Sequence, residues 1–175
     1  QVTSDFFAAN ADQYGLDPSG LGEFRVLSEY MSAHTRVTHI ALQQQHNGLD
    51  VVGAMANINL DNDGSVLMAG SSFVSGLQGT APLTGGVTVS PQQAFATVAA
   101  GLGLTLTENV NVISENTTGQ MEFALTGGGI ASSAVQGELV YLPTYNGADL
   151  AWKVNFTGED GIATNTVFVN AEENG

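Results

Sequence analysis

At 175 residues, with 43% hydrophobic content and a mean hydropathy of +0.09, the chain has enough apolar surface for a packed core, in one large domain or two small ones. Seventeen Asp and Glu against three Lys and Arg give a net charge of −14. This excludes nucleic acid as a partner, since phosphate neutralisation needs clustered cations and Arg25, Arg36 and Lys153 are scattered; an anionic membrane surface is disfavoured for the same reason.

There is no cysteine, hence no disulfide and no thiolate metal site. No apolar run approaches the roughly 20 residues that a membrane-spanning helix needs. A first residue Gln1 rather than Met is compatible with a secretory signal already removed.

Ser4 or Asp5 can cap a first helix carrying Phe6, Phe7, Ala8, Ala11 and Tyr14, with Gly15 at its end. Residues 16–36 hold Pro18, Gly20 and Gly22, then Phe24 to Leu27 as a short strand leading through Tyr30 onward. Residues 37–74 read as a three-stranded antiparallel meander, because Asn47-Gly48 and Asp63-Gly64 supply turn residues tolerant of positive φ between apolar, β-branched runs. With Asn47-Gly48 as a two-residue loop, Gln44 faces Val51, Leu42 faces Gly53 and Ile40 faces Met55, all on the core side.

Residues 75–89 are rich in Gly, Thr and Ser and uncharged, the composition of a connector. A second helix follows. Ser90 is its N-cap, Pro91 its first position and Gln93 the return arm of a capping box. Ala94, Phe95, Val98, Ala99 and Leu102 form its apolar stripe, and Gly101 and Gly103 stop it. Strands are expected over 104–113, 120–125, 135–142, 149–156 and 166–171. In the fourth, Leu150, Trp152, Val154 and Phe156 share one face, which makes Trp152 a core residue.

Chemistry of a catalytic kind finds little support in these residues. The three histidines are His34, His39 and His46, and no His-Glu-x-x-His helix is present to hold zinc and supply a base. His39 and His46 sit at an odd spacing on one strand, on opposite faces, so they do not jointly ligate a metal. There is no Gly-x-Ser-x-Gly elbow. Asp61-Asn62-Asp63-Gly64 resembles the start of a calcium loop, but Ser72 stands where the twelfth, acidic ligand belongs, so it reads as a hairpin turn. The glycine-rich 126–129 lacks a following Lys-Ser/Thr and reads as a loop rather than a phosphate cradle. No catalytic residue, metal ligand or cofactor is assigned.

The spacing His39, Gln44, Asn47-Gly48, Val51, Asp61, Asp63-Gly64 and Val66 resembles the fungalysin/thermolysin propeptide motif, His-x-x-x-x-Gln-x-x-Asn-Gly-x-x-Val followed by Asp-x-Asp-Gly-x-Val. Asp50 departs from it where the family often has proline. The later half, with Leu150-Ala151-Trp152 and the segment 167–175, is similar to the PepSY-type half of the same propeptides, with Asn170 where Asp is usual.

The resemblance implies an α+β fold of two tandem cystatin-like units, each a helix on an antiparallel sheet. Their boundaries are 1–75 for the propeptide-motif unit, 76–89 for the linker and 90–175 for a PepSY-like unit that stops short of the family's final strand. It further implies a non-catalytic, secreted propeptide that acts as intramolecular chaperone and inhibitor of a zinc metallopeptidase catalytic domain, its partner. The motif residues His39, Gln44, Asn47, Gly48, Val51, Asp61, Asp63 and Gly64, with Trp152, are then the candidate contacts. Gln44 is the one expected to satisfy buried backbone groups near the turn. Two other classes stay open: a free-standing extracellular cystatin-like binding or inhibitor module, and a structural surface protein.

Overall fold

The computed structural model describes residues 23–77, 87–116, 121–145 and 147–172. Those residues are mostly β, with nine strands and one short helix. The chain divides into two compact units, Gln1–Thr80 with Pro143–Ala148, and Ala81–Leu142 with Asp149–Gly175. The helix expected over 4–14 lies outside the described residues, as does most of the connector.

In the first unit β1 (Glu23–Met31), β2 (Thr38–His46), β3 (Leu49–Leu60) and β4 (Val66–Ser71) pair antiparallel in that order. The short strand expected at residues 24–27 is thus a full nine-residue strand and makes the meander four-stranded. Its residues are almost all exposed, and beyond Leu27 the run Ser28-Glu29-Tyr30-Met31 lacks the apolar alternation by which a strand is read. Ile40, Leu42, Ala56, Ile58 and Phe73 form the core of this unit, with Phe24, Leu60, Val66 and Ala69 against it.

The register of β2 on β3 departs from expectation beyond the turn. His46 faces Leu49 and Gln45 faces Asp50, as a two-residue loop requires, but Gln43 then faces Met55, Leu42 faces Ala56 and Ile40 faces Ile58. Residues 51–54 of β3 lie opposite Gln44 alone. Gly53 takes φ +72°, a conformation open to glycine, and the bulge it permits turns Gly53 and Met55 outward while Ala54, Ala56 and Ile58 stay buried. The backbone acceptors freed by the bulge go to one side chain: Gln43 Nε2 donates to Val51 O at 2.7 Å, Ala54 O at 3.0 Å and Gln44 O at 3.0 Å.

The second unit begins with α1 (Pro91–Gly101) and continues through β5 (Val112–Asn116), β6 (Glu122–Leu125), β7 (Val135–Thr144), β8 (Gly147–Thr157) and β9 (Thr164–Asn170), paired in sequence order. Both arms of the capping box form, Gln93 N–H to Ser90 Oγ at 3.3 Å and Ser90 N–H to Gln93 Oε1 at 2.8 Å. The helix closes in a Schellman motif, with Leu104 N–H on Ala99 O and Gly103 N–H on Ala100 O. Ala94, Phe95, Val98 and Ala99 are buried, and Phe95 meets Phe156 of β8 edge to face at 5.6 Å.

Two expectations fail here. Leu102 is 47% exposed, because it is the cap residue beyond the last packed turn. Residues 104–111 are not strand: Leu104 is spent on the helix cap, and Thr107 and Glu108 donate their N–H groups to Gly128 O of the glycine-rich loop instead of to a neighbouring strand. Apolar alternation in this stretch is real, but its hydrogen bonds go to loops.

Candidate functional site

Every motif residue of the first unit falls on β2, β3, the two turns flanking β3 or, for Val66, the start of β4. Asn47 and Gly48 take φ +51° and +78°, the pair of left-handed conformations that a two-residue hairpin of right-twisted strands requires. The turn is held from outside by β1: Glu23 Oε2 accepts from Gly48 N–H at 2.7 Å. One step further, Arg25 makes a two-point contact with Asp50, Nε to Oδ1 at 2.9 Å and Nη2 to Oδ2 at 2.6 Å, and Gln45 Nε2 also donates to Asp50 Oδ1 at 3.0 Å. Asp50, the departure from the family pattern, therefore anchors β1 across the hairpin. Sequence reasoning missed this clamp; acidic and basic residues two apart, at Glu23 and Arg25, were the available signal.

Gln44 is buried, 3% exposed, and its carboxamide pairs with both backbone polar groups of one residue: Nε2 donates to Val74 O at 2.9 Å and Oε1 accepts from Val74 N–H at 2.7 Å. It satisfies backbone, as its polarity demands, but at the segment after β4 rather than beside the Asn47-Gly48 turn. Val51 is fully buried.

Asp61 organises the second turn by accepting at Oδ1 from Asp63 N–H and Ser65 N–H, both at 3.0 Å, while Gly64 N–H bonds Asp61 O. Hydrogen bonding with the Asp61 side chain, then with the Ser65 hydroxyl and N–H, holds the Asp63 carboxyl down at about 2 from an ordinary 3.8. The turn needs these carboxylates for its own backbone. His39 has a different setting. It lies on the outer side of the sheet, stacked on Tyr30 at 4.9 Å, with Nδ1 hydrogen-bonded to Asn59 Oδ1 at 2.8 Å.

Trp152 belongs to the other unit. It is 3% exposed, donates Nε1–H to Val89 O at 2.7 Å and packs edge to face on Phe123 at 5.3 Å. The same unit has a hollow of about 450 Å³ over β5–β8 with Glu115, Glu122 and Glu138 in its wall; Lys153 Nζ reaches Glu138 Oε1 at 2.6 Å. A second hollow of about 580 Å³ runs between α1 and β9 and is largely apolar, with Val98, Leu102, Val167 and Val169. Among the described residues no group of three or more His, Asp or Glu is placed to hold a metal ion.

What emerges is a hairpin sheet whose signature residues build two turns, part of its core and a backbone clip. Residues 22–73 match the Fungalysin/Thermolysin Propeptide Motif, and the chain is homologous to the N-terminal part of fungal extracellular metalloproteinases. It is 35% identical over 133 residues to the extracellular metalloproteinase mep of Aspergillus terreus, covering 75% of this chain and 21% of that enzyme. It is 28% identical over 152 residues to the extracellular metalloproteinase 3 of Trichophyton equinum, covering 85% and 24%. With the extracellular metalloproteinase 2 of Phaeosphaeria nodorum the identity is 32% over 132 residues, covering 75% and 20%. The chain thus spans about a fifth to a quarter of the length of these relatives.

Proposed function

We propose that this chain is the propeptide of a secreted fungalysin-type zinc metallopeptidase, an intramolecular chaperone and then an inhibitor of the catalytic domain. The observation that carries the reading is the reach of the similarity: 133 residues, 75% of the chain, align with only 21% of an extracellular metalloproteinase. The propeptide motif alone covers 22–73, so relatedness extends well past it. The finer division belongs to this proposal too, with 1–75 and 90–175 as tandem cystatin-like units, the second PepSY-like, joined by 76–89.

The physical logic is that an extracellular protease benefits from a large kinetic barrier to unfolding, which also slows folding. A preformed complementary surface lowers that barrier by binding what resembles the native domain. The same surface then stabilises the native enzyme by mass action and obstructs substrate until it is removed.

The test supplies the chain in trans to the catalytic domain of the Aspergillus terreus metalloproteinase. Expected are slower peptide hydrolysis with increasing chain and a higher yield of active enzyme on refolding. Unchanged activity and unchanged refolding yield at large excess would overturn the proposal and favour a free-standing module or a surface protein.

A further inference from the structure

The outer side of the first unit's sheet is unlike the rest of this acidic chain. Cross-strand register places Tyr30, His39, Asn59 and Met68 in one row, and Ser28, Ala41, Asn57 and Gly70 in the next. A third row has Arg25, Gln43 and Met55, with Ser72 Oγ accepting from Met55 N–H. None of these residues is acidic, in a chain with 17 carboxylates, and the one charged residue among them, Arg25 at the edge, is paired with Asp50. Tyr30 is 61% exposed, Met68 60% and Met55 40%, while the opposite side of the same strands carries the buried Ile40, Leu42 and Ile58.

The middle row is small and the flanking rows are large, so the face is a trough; its β3–β4 end is a hollow of about 300 Å³ with Met55, Asn57, Met68 and Gly70 in the wall. Four strands at about 4.8 Å and three rows at about 7 Å make this face roughly 400 Å², within the size range where an exposed patch is commonly functional.

We infer that this trough is the surface on which the metallopeptidase catalytic domain docks, an inference that rests on the propeptide reading above. Protein interface cores are depleted of Lys, Glu and Asp and enriched in Tyr and Met, and this composition matches. A second copy of the chain is the poorer occupant, because it brings the same net −14 against the first and is repelled. A different polypeptide is needed, and the relatives carry about four-fifths of their length beyond the match. His39 fits as well: it is the motif residue that neither makes a turn nor lies in the core, and it presents the trough's rim stacked with Tyr30. At about half of the usual 800 Å² per partner, the trough is the carboxylate-free centre of a wider contact.

The test compares wild type, Met68→Glu, Tyr30→Glu and Ile162→Glu as inhibitors of the Aspergillus terreus catalytic domain. Ile162 is 84% exposed in the second unit, so its variant adds the same charge elsewhere. The two trough variants should lose roughly tenfold or more in inhibition, as central aromatic and apolar anchors do, with Ile162→Glu unchanged. As a readout independent of folding, Met68→p-benzoylphenylalanine should photocrosslink to the enzyme and Ile162→p-benzoylphenylalanine should not. Wild-type inhibition retained by both trough variants, or crosslinking from position 162 alone, would overturn the trough while leaving the propeptide reading intact. Wild-type chain that neither inhibits nor assists refolding would overturn the propeptide reading and the trough with it, and a dimer abolished by Met68→Glu would assign the face to a second copy.

Discussion

A carboxamide can accept from the N–H and donate to the C=O of a single residue at once, and Gln44 does both to Val74 from a position that is 3% exposed. No apolar residue of similar size replaces that. Gln44→Leu should therefore cost about 1–3 kcal/mol for each backbone group left unpaired, read as a fall in the urea midpoint at unchanged slope; a loss under about 0.5 kcal/mol would mean that the segment after β4 finds other partners. Gly48 is held by conformation and not by space. An added Cβ there meets nothing within 4 Å, yet φ is +78°. Gly48→Val should cost about 1–3 kcal/mol from the left-handed strain, whereas Gly48→Asn, which tolerates positive φ, should cost clearly less. Equal costs for the two would show that something other than φ dictates the glycine. Inhibition of the enzyme should fall along with the stability of the hairpin in the valine variant.

Elements were legible where a local rule decides them. The Asn47-Gly48 turn, the Ser90–Gln93 capping box and the alternating face of β8 each depend on residues a few positions apart, and all three form. What escaped depends on distant partners. The β3 bulge exists because Gln43 collects three carbonyls that an uninterrupted ladder would have paired. The strand β1 exists because Glu23 and Arg25 grip the next hairpin at Gly48 and Asp50, with almost no burial of its own. Residues 104–111 had the pattern of a strand but were claimed by a helix cap and a loop. The motif positions of the site were readable as positions, and so were the roles of the turn residues and the burial of Gln44, Val51 and Trp152; the outward setting of His39 and the backbone that Gln44 binds were not. For β8, Trp152→Ala should cost about 3–5 kcal/mol, since it removes a buried ring, an edge-to-face contact with Phe123 and a hydrogen bond to Val89 O. Chemical denaturation followed by far-UV circular dichroism checks this, and a cost below about 1 kcal/mol would contradict the packing seen around the indole.

For the molecule as a whole, the sign of its response to salt follows from counting charges. The chain holds 17 acidic and three basic side chains, and two of the basic ones, Arg25 and Lys153, are in ion pairs with Asp50 and Glu138. Salt weakens both pairs, but partly exposed pairs of this kind contribute only about 0–1 kcal/mol each. Against that stands the mutual repulsion of the remaining carboxylates, which opposes compaction and is relieved as the Debye length shrinks from about 30 Å at 0.01 M to about 3 Å at 1 M. Relief of repulsion outweighs the loss of two pairs, so the thermal midpoint should rise with sodium chloride over that range, and the increase should persist in an Arg25→Gln variant, which lacks one pair. Association with an enzyme of opposite surface charge should respond in the other direction, its on-rate falling as salt rises while the off-rate changes little, because the trough's one charged residue, Arg25, is already paired with Asp50 and the rest has little to screen. A thermal midpoint that falls with salt would mean that the two ion pairs outweigh the net charge. An off-rate that climbs steeply with salt would place carboxylates, rather than the rows of β1–β4 that lack them, at the centre of the contact.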